Sequence, residues 1–181
     1  MKASATWSTV WRTGWLVLCL SATAAWGAEE PKPKVDPHLV PLARFSGEWT
    51  VAGKWAAGNE LHARTVYEWG LGGKILRAKT FVKDGETEYQ RYEATFAWHP
   101  AKLCLYEISF AVDGAISEHK IETPDDQTLL IDFSPLEAGG RAGKLRQTLK
   151  FVDNDHFTWK IELNGESGWQ TILDATWVRK K

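Results

Sequence analysis

"FSGEWTVAGKW", residues 45–55, carries two tryptophans on one side of an alternating run. Trp49, Val51 and Trp55 share one parity, with Thr50 and Lys54 on the other. Successive side chains of a strand point to opposite faces, so this pattern marks a strand with one face buried and one in water. Gly47 stands two residues before Trp49, the first strong apolar position of the run. A glycine there lets the chain turn sharply into the strand. Two large rings on one face of a first strand need a core to enter, and the rest of the chain must supply it.

The same period recurs to the end of the sequence. Leu61, Ala63, Thr65, Tyr67 and Trp69 alternate with His62, Arg64 and Glu68. In "CLYEISFAV", 104–112, the expected inward set is Cys104, Tyr106, Ile108, Phe110 and Val112. Leu129, Ile131 and Phe133 align, as do Leu145, Leu149 and Phe151, and Phe157, Trp159, Ile161 and Leu163. The last run aligns Trp169, Leu173, Ala175, Trp177 and Arg179. "KDGE" (83–86), "VDGA" (112–115) and "LNGE" (163–166) separate runs with hairpin turns, because Asp-Gly and Asn-Gly accept positive φ. "PLEAGGRAGK", 135–144, reads as a flexible loop. Gly70, Gly72 and Gly73 precede a strand, so they mark a kinked hairpin rather than a phosphate loop, which needs a following helix.

Ahead of Gly47, "DPHLVPLARF" offers Asp36 as a helix N-cap and Pro37 as the first helical residue. Pro41 keeps the helix short, and Leu39, Leu42 and Phe45 form an apolar stripe. Strands do not alternate with helices, which excludes a parallel α/β sheet. The pattern predicts an all-β fold: a single antiparallel up-and-down β-barrel of about ten strands, with a short N-terminal helix closing one end. A two-sheet sandwich is the alternative.

Residues 1–27 have the layout of a secretory signal peptide. Lys2 and Arg12 precede an apolar run from Trp15 to Leu20, and Ala25 and Gly27 supply small residues for cleavage. The apolar run is shorter than the ~20 residues of a spanning helix. Residues 28–36 read as a flexible, proline-rich leader, and 37–181 as the barrel domain. The expected location is the periplasm or the exterior, with no membrane attachment after cleavage. Residues 1–27 contain no acid, so without them 20 basic residues face 23 acidic ones, a charge of −3. That balance argues against a nucleic-acid partner. Cys104 is the single cysteine beyond the signal segment and reads as a small buried hydrophobe.

A closed barrel brings its first and last strands together. Arg179 shares the parity of Trp177, and an inward guanidinium needs a partner. The face of Trp49 is such a partner, so Gly47, Trp49 and Arg179 are expected to form the closure. These residues carry a resemblance. A G-x-W on the first strand after a short helix, answered by a basic residue on the last strand, resembles the calycin pattern of lipocalins, fatty-acid-binding proteins and nitrobindins. From "PHLVPLARFSGEWT" through "WGLGGKIL" and "ATFAWHPAK" to "TWVRK", the chain resembles secreted lipocalin-like bacterial proteins of unknown function. The resemblance implies a ten-stranded barrel and a hydrophobic ligand. Nitrobindins hold haem through a histidine on the last strand; Asp174 stands at the matching position here, so no haem ligand and no other cofactor is carried over.

Histidines 38, 62, 99, 119 and 156 show no metal-ligand spacing and read as surface residues. No serine has a nucleophile-elbow context, and Glu68, Glu107, Glu118 and Glu162 are expected on the outer wall. No catalytic or metal-binding residue is assigned. The aromatics remain. Trp55, Tyr67, Trp69, Tyr106, Phe110 and Trp159 are the cavity candidates, inward by parity and mid-strand or near a rim. Three readings follow: a binding module for a small hydrophobic ligand, a structural or protein-interaction barrel, and an enzyme with a cavity site.

Overall fold

The computed structural model describes residues 34–134 and 143–181. The expected signal peptide, most of the leader and most of the 135–144 loop lie outside them. The described residues form ten strands: β1 (Gly47–Lys54), β2 (Glu60–Gly70), β3 (Ile75–Asp84), β4 (Thr87–His99), β5 (Cys104–Ala111), β6 (Ile116–Glu122), β7 (Thr128–Phe133), β8 (Lys144–Phe151), β9 (His156–Gly165) and β10 (Gly168–Arg179). Each pairs antiparallel with the next, and β1 pairs with β10. The sheet closes on itself as a barrel, which leaves no edge strand.

Pro37–Phe45 forms a 3-10 helix across one end. Its geometry follows from its spacing. Leu39, Leu42 and Phe45 recur every three residues, which places them on one line only at three residues per turn. All three are fully buried. Pro41 has no N–H and works against a regular α-helical ladder. Asp36 caps the start, accepting from the His38 N–H at 3.0 Å, and pairs with Lys74 Nζ at 2.8 Å. The Lys74 hydrogen bond, followed by those from His38, holds the Asp36 carboxyl well below the usual carboxylate range. Residues 34–36 of the leader lie against the β2–β3 turn, with Asp36 N–H donating to Gly73 O at 3.0 Å.

Aromatic rings pack the helix end against β1, β8 and β9. Phe45 meets Phe151 and Phe157 with ring centroids 4.6 and 5.1 Å apart. Trp49 is fully buried, and its indole N–H donates to Phe45 O at 2.6 Å. Arg179 lies over the Trp49 ring, 4.2 Å from its centroid, opposite it in the β1–β10 register. Its guanidinium donates to Ser46 O and Arg44 O, each at 2.6 Å, and to Asn154 O at 3.0 Å. Those bonds satisfy carbonyls at the end of the 3-10 helix and tie it to the barrel. Gly47 has φ +113°, and a Cβ there would stand 3.0 Å from Arg179 Nη1. The position therefore needs glycine both for its backbone and for the approach of the guanidinium.

One expected strand face is corrected by a bulge. The β9–β10 register shifts between Thr171 and Leu173. The extra residue reverses parity, so Trp169 leaves the inward face of Leu173, Ala175 and Trp177. It lies outside with Arg146 4.5 Å from its ring centroid.

Candidate functional site

The two ends of the barrel differ. The turns β2–β3, β4–β5, β6–β7 and β8–β9 share the end that the 3-10 helix plugs. The turns β1–β2, β3–β4, β5–β6 and β9–β10 surround the other end. Inward side chains are buried and half-buried at both ends: Leu61 and Leu173 toward the open end are buried, and Tyr67 and Trp69 near the plug are half-buried.

On β5 the register reverses the expected face. Leu105 pairs with Trp98 and Ile121, Glu107 with Phe96 and His119, and Ser109 with Ala94 and Ser117. Leu105 and Ile121 are buried, which fixes this set inward. Tyr106 and Phe110, expected in the cavity, point outward. Tyr106 accepts from Lys102 Nζ at 2.6 Å and donates to Glu118 at 3.0 Å. Phe110 is 48% exposed, beside Ile116. The reason is that side-chain period in a strand is two, so a one-residue change of register exchanges the whole face.

Two rows of paired residues cross the inner wall as a result. One runs Tyr67, Ala78, Ala94, Ser109, Ser117 from β2 to β6. Four of its five side chains are small. The next runs Trp69, Leu76, Phe96, Glu107, His119. Ser109, Ser117, Glu107 and His119 face inward and are all half-buried; Ser117 and His119 lie beside the short β6–β7 seam, which pairs only at Ile121 and Glu122. Thr65 is fully buried on the same inner surface, with its hydroxyl 2.9 Å from that of Thr80.

Burial pushes the Glu107 carboxyl up to about 7, against a smaller opposing effect from Ser109. Burial also lowers the His119 imidazole, with the nearby Glu118 charge working the other way. The Tyr67 hydroxyl is raised first by burial and then by the charge of Glu107, which stands on the neighbouring row of the inner wall. Glu107 and His119 are thus corrections to the expected outer-wall glutamate and surface histidine. Their neighbours in sequence held the signal. In "ISEHKIE", Glu118, Lys120 and Glu122 fall on one face, and charge puts that face in water. The "VDGA" hairpin then carries His119 and Ser117 inward and forces Glu107 and Ser109 to follow.

Of the other cavity candidates, Tyr67 lies near the plug, 5.4 Å from Phe45 and 6.3 Å from Phe96 between ring centroids. Trp69 is opposite Leu76 at the plugged end. Trp159 is half-buried on β9, and its indole N–H donates to Gln147 Oε1 at 2.8 Å. Trp55, just beyond β1, meets it edge-on at 6.4 Å between centroids. Gln147 was not foreseen; it fills the inward position between Leu145 and Leu149. Asp174 is exposed and pairs across the sheet with Lys160.

A bulge on β4 sets a polar group at the open end. The β3–β4 register skips Arg91, whose guanidinium donates to Tyr92 Oη at 2.9 Å and Tyr89 Oη at 3.2 Å. At the plugged end, a cleft of about 550 Å³ lies between the 3-10 helix and strands β4 to β6, lined by residues including His38, Trp98, Leu105, Lys120 and Ile121. It is wide open to solvent, and Glu107, His119 and Tyr67 do not line it. The interior, where polar groups converge on a mostly apolar surface, is the better-built candidate. Among the described residues, no three or more His, Cys, Asp or Glu side chains gather to hold a metal ion.

No known family model matches the chain, and no curated protein matches its sequence. Solved structures similar to it are barrels of low identity. A redesigned beta barrel has a TM-score of 0.41 and 13% identity, covering 76% of this chain and 93% of that one. The S-type phycobiliprotein lyase CPES from Guillardia theta has 0.48 and 12%, covering 76% and 89%. EF1p2_mFAP2b bound to DFHBI has 0.41 and 13%, covering 79% and 99%.

Proposed function

We propose that this chain is an exported binding barrel that holds a small, mainly apolar molecule in its interior. One observation carries the reading. Ser109, Ser117, His119, Gln147 and Trp159 face inward yet remain half-buried. Space inside the barrel accounts for that exposure at Ser109, Gln147 and Trp159; Ser117 and His119 also border the seam where β6 and β7 pair only at Ile121 and Glu122. A ten-stranded barrel is wide enough to enclose a ligand rather than fill completely with side chains. The aromatic faces of Trp55 and Trp159 give an apolar body something to pack against. The small inward side chains of β3 to β6 leave room beside them.

The resemblance to secreted lipocalin-like proteins supports the same reading, through "FSGEWT", "LGGKIL" and "TWVRK". Export rests on the layout of residues 1–27. Native mass spectrometry of the purified protein tests the ligand directly. The expected spectrum contains a second species heavier by one small molecule, which is released by an organic extraction. A single species of bare chain mass, with no uptake of an added apolar compound, would leave a structural or protein-interaction barrel as the function.

A further inference from the structure

We propose that the inner wall around Glu107 is a subsite for the protonated nitrogen of an apolar base. The proposal rests on the interior-ligand reading and adds the chemical class of the ligand. A carboxyl facing the inside of a barrel is costly when ionised, because the wall cannot solvate it as water does. Buried carboxylates are therefore found with a cation or several donors. Glu107 is half-buried, faces inward and has neither among the described residues. The one side chain that favours its ionised form is Ser109.

The neighbours on every side leave that role open. From β4 the facing residue is Phe96, which has no charge. From β6 it is His119, which burial biases toward the neutral imidazole. From β2 it is Tyr67, whose hydroxyl burial keeps protonated. The small residues of the adjacent row, Ala94, Ser109 and Ser117, leave room for an apolar body. A ligand ammonium would supply the missing cation, with His119, Ser109 and the Tyr67 hydroxyl as further polar neighbours. A ligand carboxylate would face repulsion from Glu107 at the same place. Arg91 stands at the rim, bonded to Tyr89 and Tyr92, and leaves the inner acid unneutralised.

The test uses a neutral apolar fluorophore, N-phenylnaphthylamine, displaced by decylammonium, decanol or decanoate, each below its micelle-forming concentration. The measurement is made above the Glu107 pKa of about 7. Decylammonium should displace the fluorophore roughly tenfold better than decanol, as expected for a charge-assisted hydrogen bond in place of a neutral one. Glu107→Gln should bind the fluorophore and lose that advantage. Glu118→Gln, which removes the same charge from the outer wall, should keep it.

The native protein provides a second reading should Glu107→Gln not fold. Its preference for decylammonium should fade as pH falls through the Glu107 pKa, while the ligand stays protonated. His119 protonation would act in the same direction. Three results would overturn the subsite while leaving interior binding intact: equal displacement by amine and alcohol, a preference that survives Glu107→Gln, or one that Glu118→Gln also abolishes. Failure of the native protein to bind the fluorophore at all would remove the interior reading and the subsite together.

Discussion

Arg179 and Trp49 stand opposite each other across the β1–β10 seam, guanidinium over indole, 4.2 Å from carbon to ring centroid. The same guanidinium bonds the carbonyls of Arg44 and Ser46, so the stack also fixes the plug. Trp49→Ala should cost about 3–5 kcal/mol, as for other buried tryptophans. Arg179→Ala should cost less, and the double variant less than the sum by ~0.5–3 kcal/mol. Urea melts of the four proteins measure the coupling; additive losses would mean the stack contributes nothing of its own.

Glu107 should make the fold sensitive to pH. Its folded pKa, about 7, lies above the ordinary 4.5, so the native state holds the proton more tightly than the unfolded chain. The resulting stability is complete below pH 4.5 and is lost as pH rises through about 7. The full difference is on the order of 3 kcal/mol. His119 is shifted downward and works in the opposite sense over part of this range. Comparing native protein with Glu107→Gln isolates the carboxyl: the variant should be the more stable above the Glu107 pKa, and the gap should narrow toward acid. A constant gap in melts across this range would place Glu107 in water.

Filling the interior should abolish binding. Ala63 lies between Val51 and Val82 on the inner wall and is half-buried. Ala63→Phe should retain the fold and lose the fluorescence enhancement of an apolar probe that the native protein takes up with micromolar affinity. Burying several hundred Å² at ~25 cal/mol per Å² is sufficient for that affinity after association costs. Equal probe binding by the variant would put the probe on the outer surface.

Gly73 should tolerate no side chain. Its φ is +89°, and a Cβ would stand 2.6 Å from the carbonyl oxygen of Lys34. Gly73→Ala should cost about 1–3 kcal/mol through backbone strain and displacement of residues 34–36. Gly72→Ala is the control, since its φ is also positive but nothing lies within 4 Å of the added carbon. Equal losses in the two would assign the whole effect to φ.

Export is expected to yield a mature chain beginning at Ala28, read by N-terminal sequencing of the secreted protein. An intact Met1 in a membrane fraction would argue for an anchor instead.

Most of the barrel was legible because alternation is a local property. In β2, Leu61 through Trp69 alternate with charged or polar residues, so burial of one face leaves a single choice. The turns carry their own chemistry in Asp-Gly and Asn-Gly, and the three-residue spacing of Leu39, Leu42 and Phe45 marks the plug. The Trp49–Arg179 contact followed from parity once closure was assumed. The site was less legible. On β5, Tyr106, Ile108 and Phe110 make the more apolar face, yet they face out. Leu105, held between Trp98 and Ile121, sets the parity, although Cys104 beside it at the strand's start is buried too. On β10, the bulge after Thr171 reverses Trp169 without any glycine or proline to announce it.

The sequence by itself determined most of the strands and their turns, because those depend on each residue's own neighbours; closure joins residues at opposite ends of the chain and was decided by the tertiary structure. Which face of β5 meets the interior depended on the register of β4 and β6, and a period of two gives each strand two equivalent choices. Only the closed barrel selected one of them, and in doing so it turned Glu107 and His119 from wall into lining.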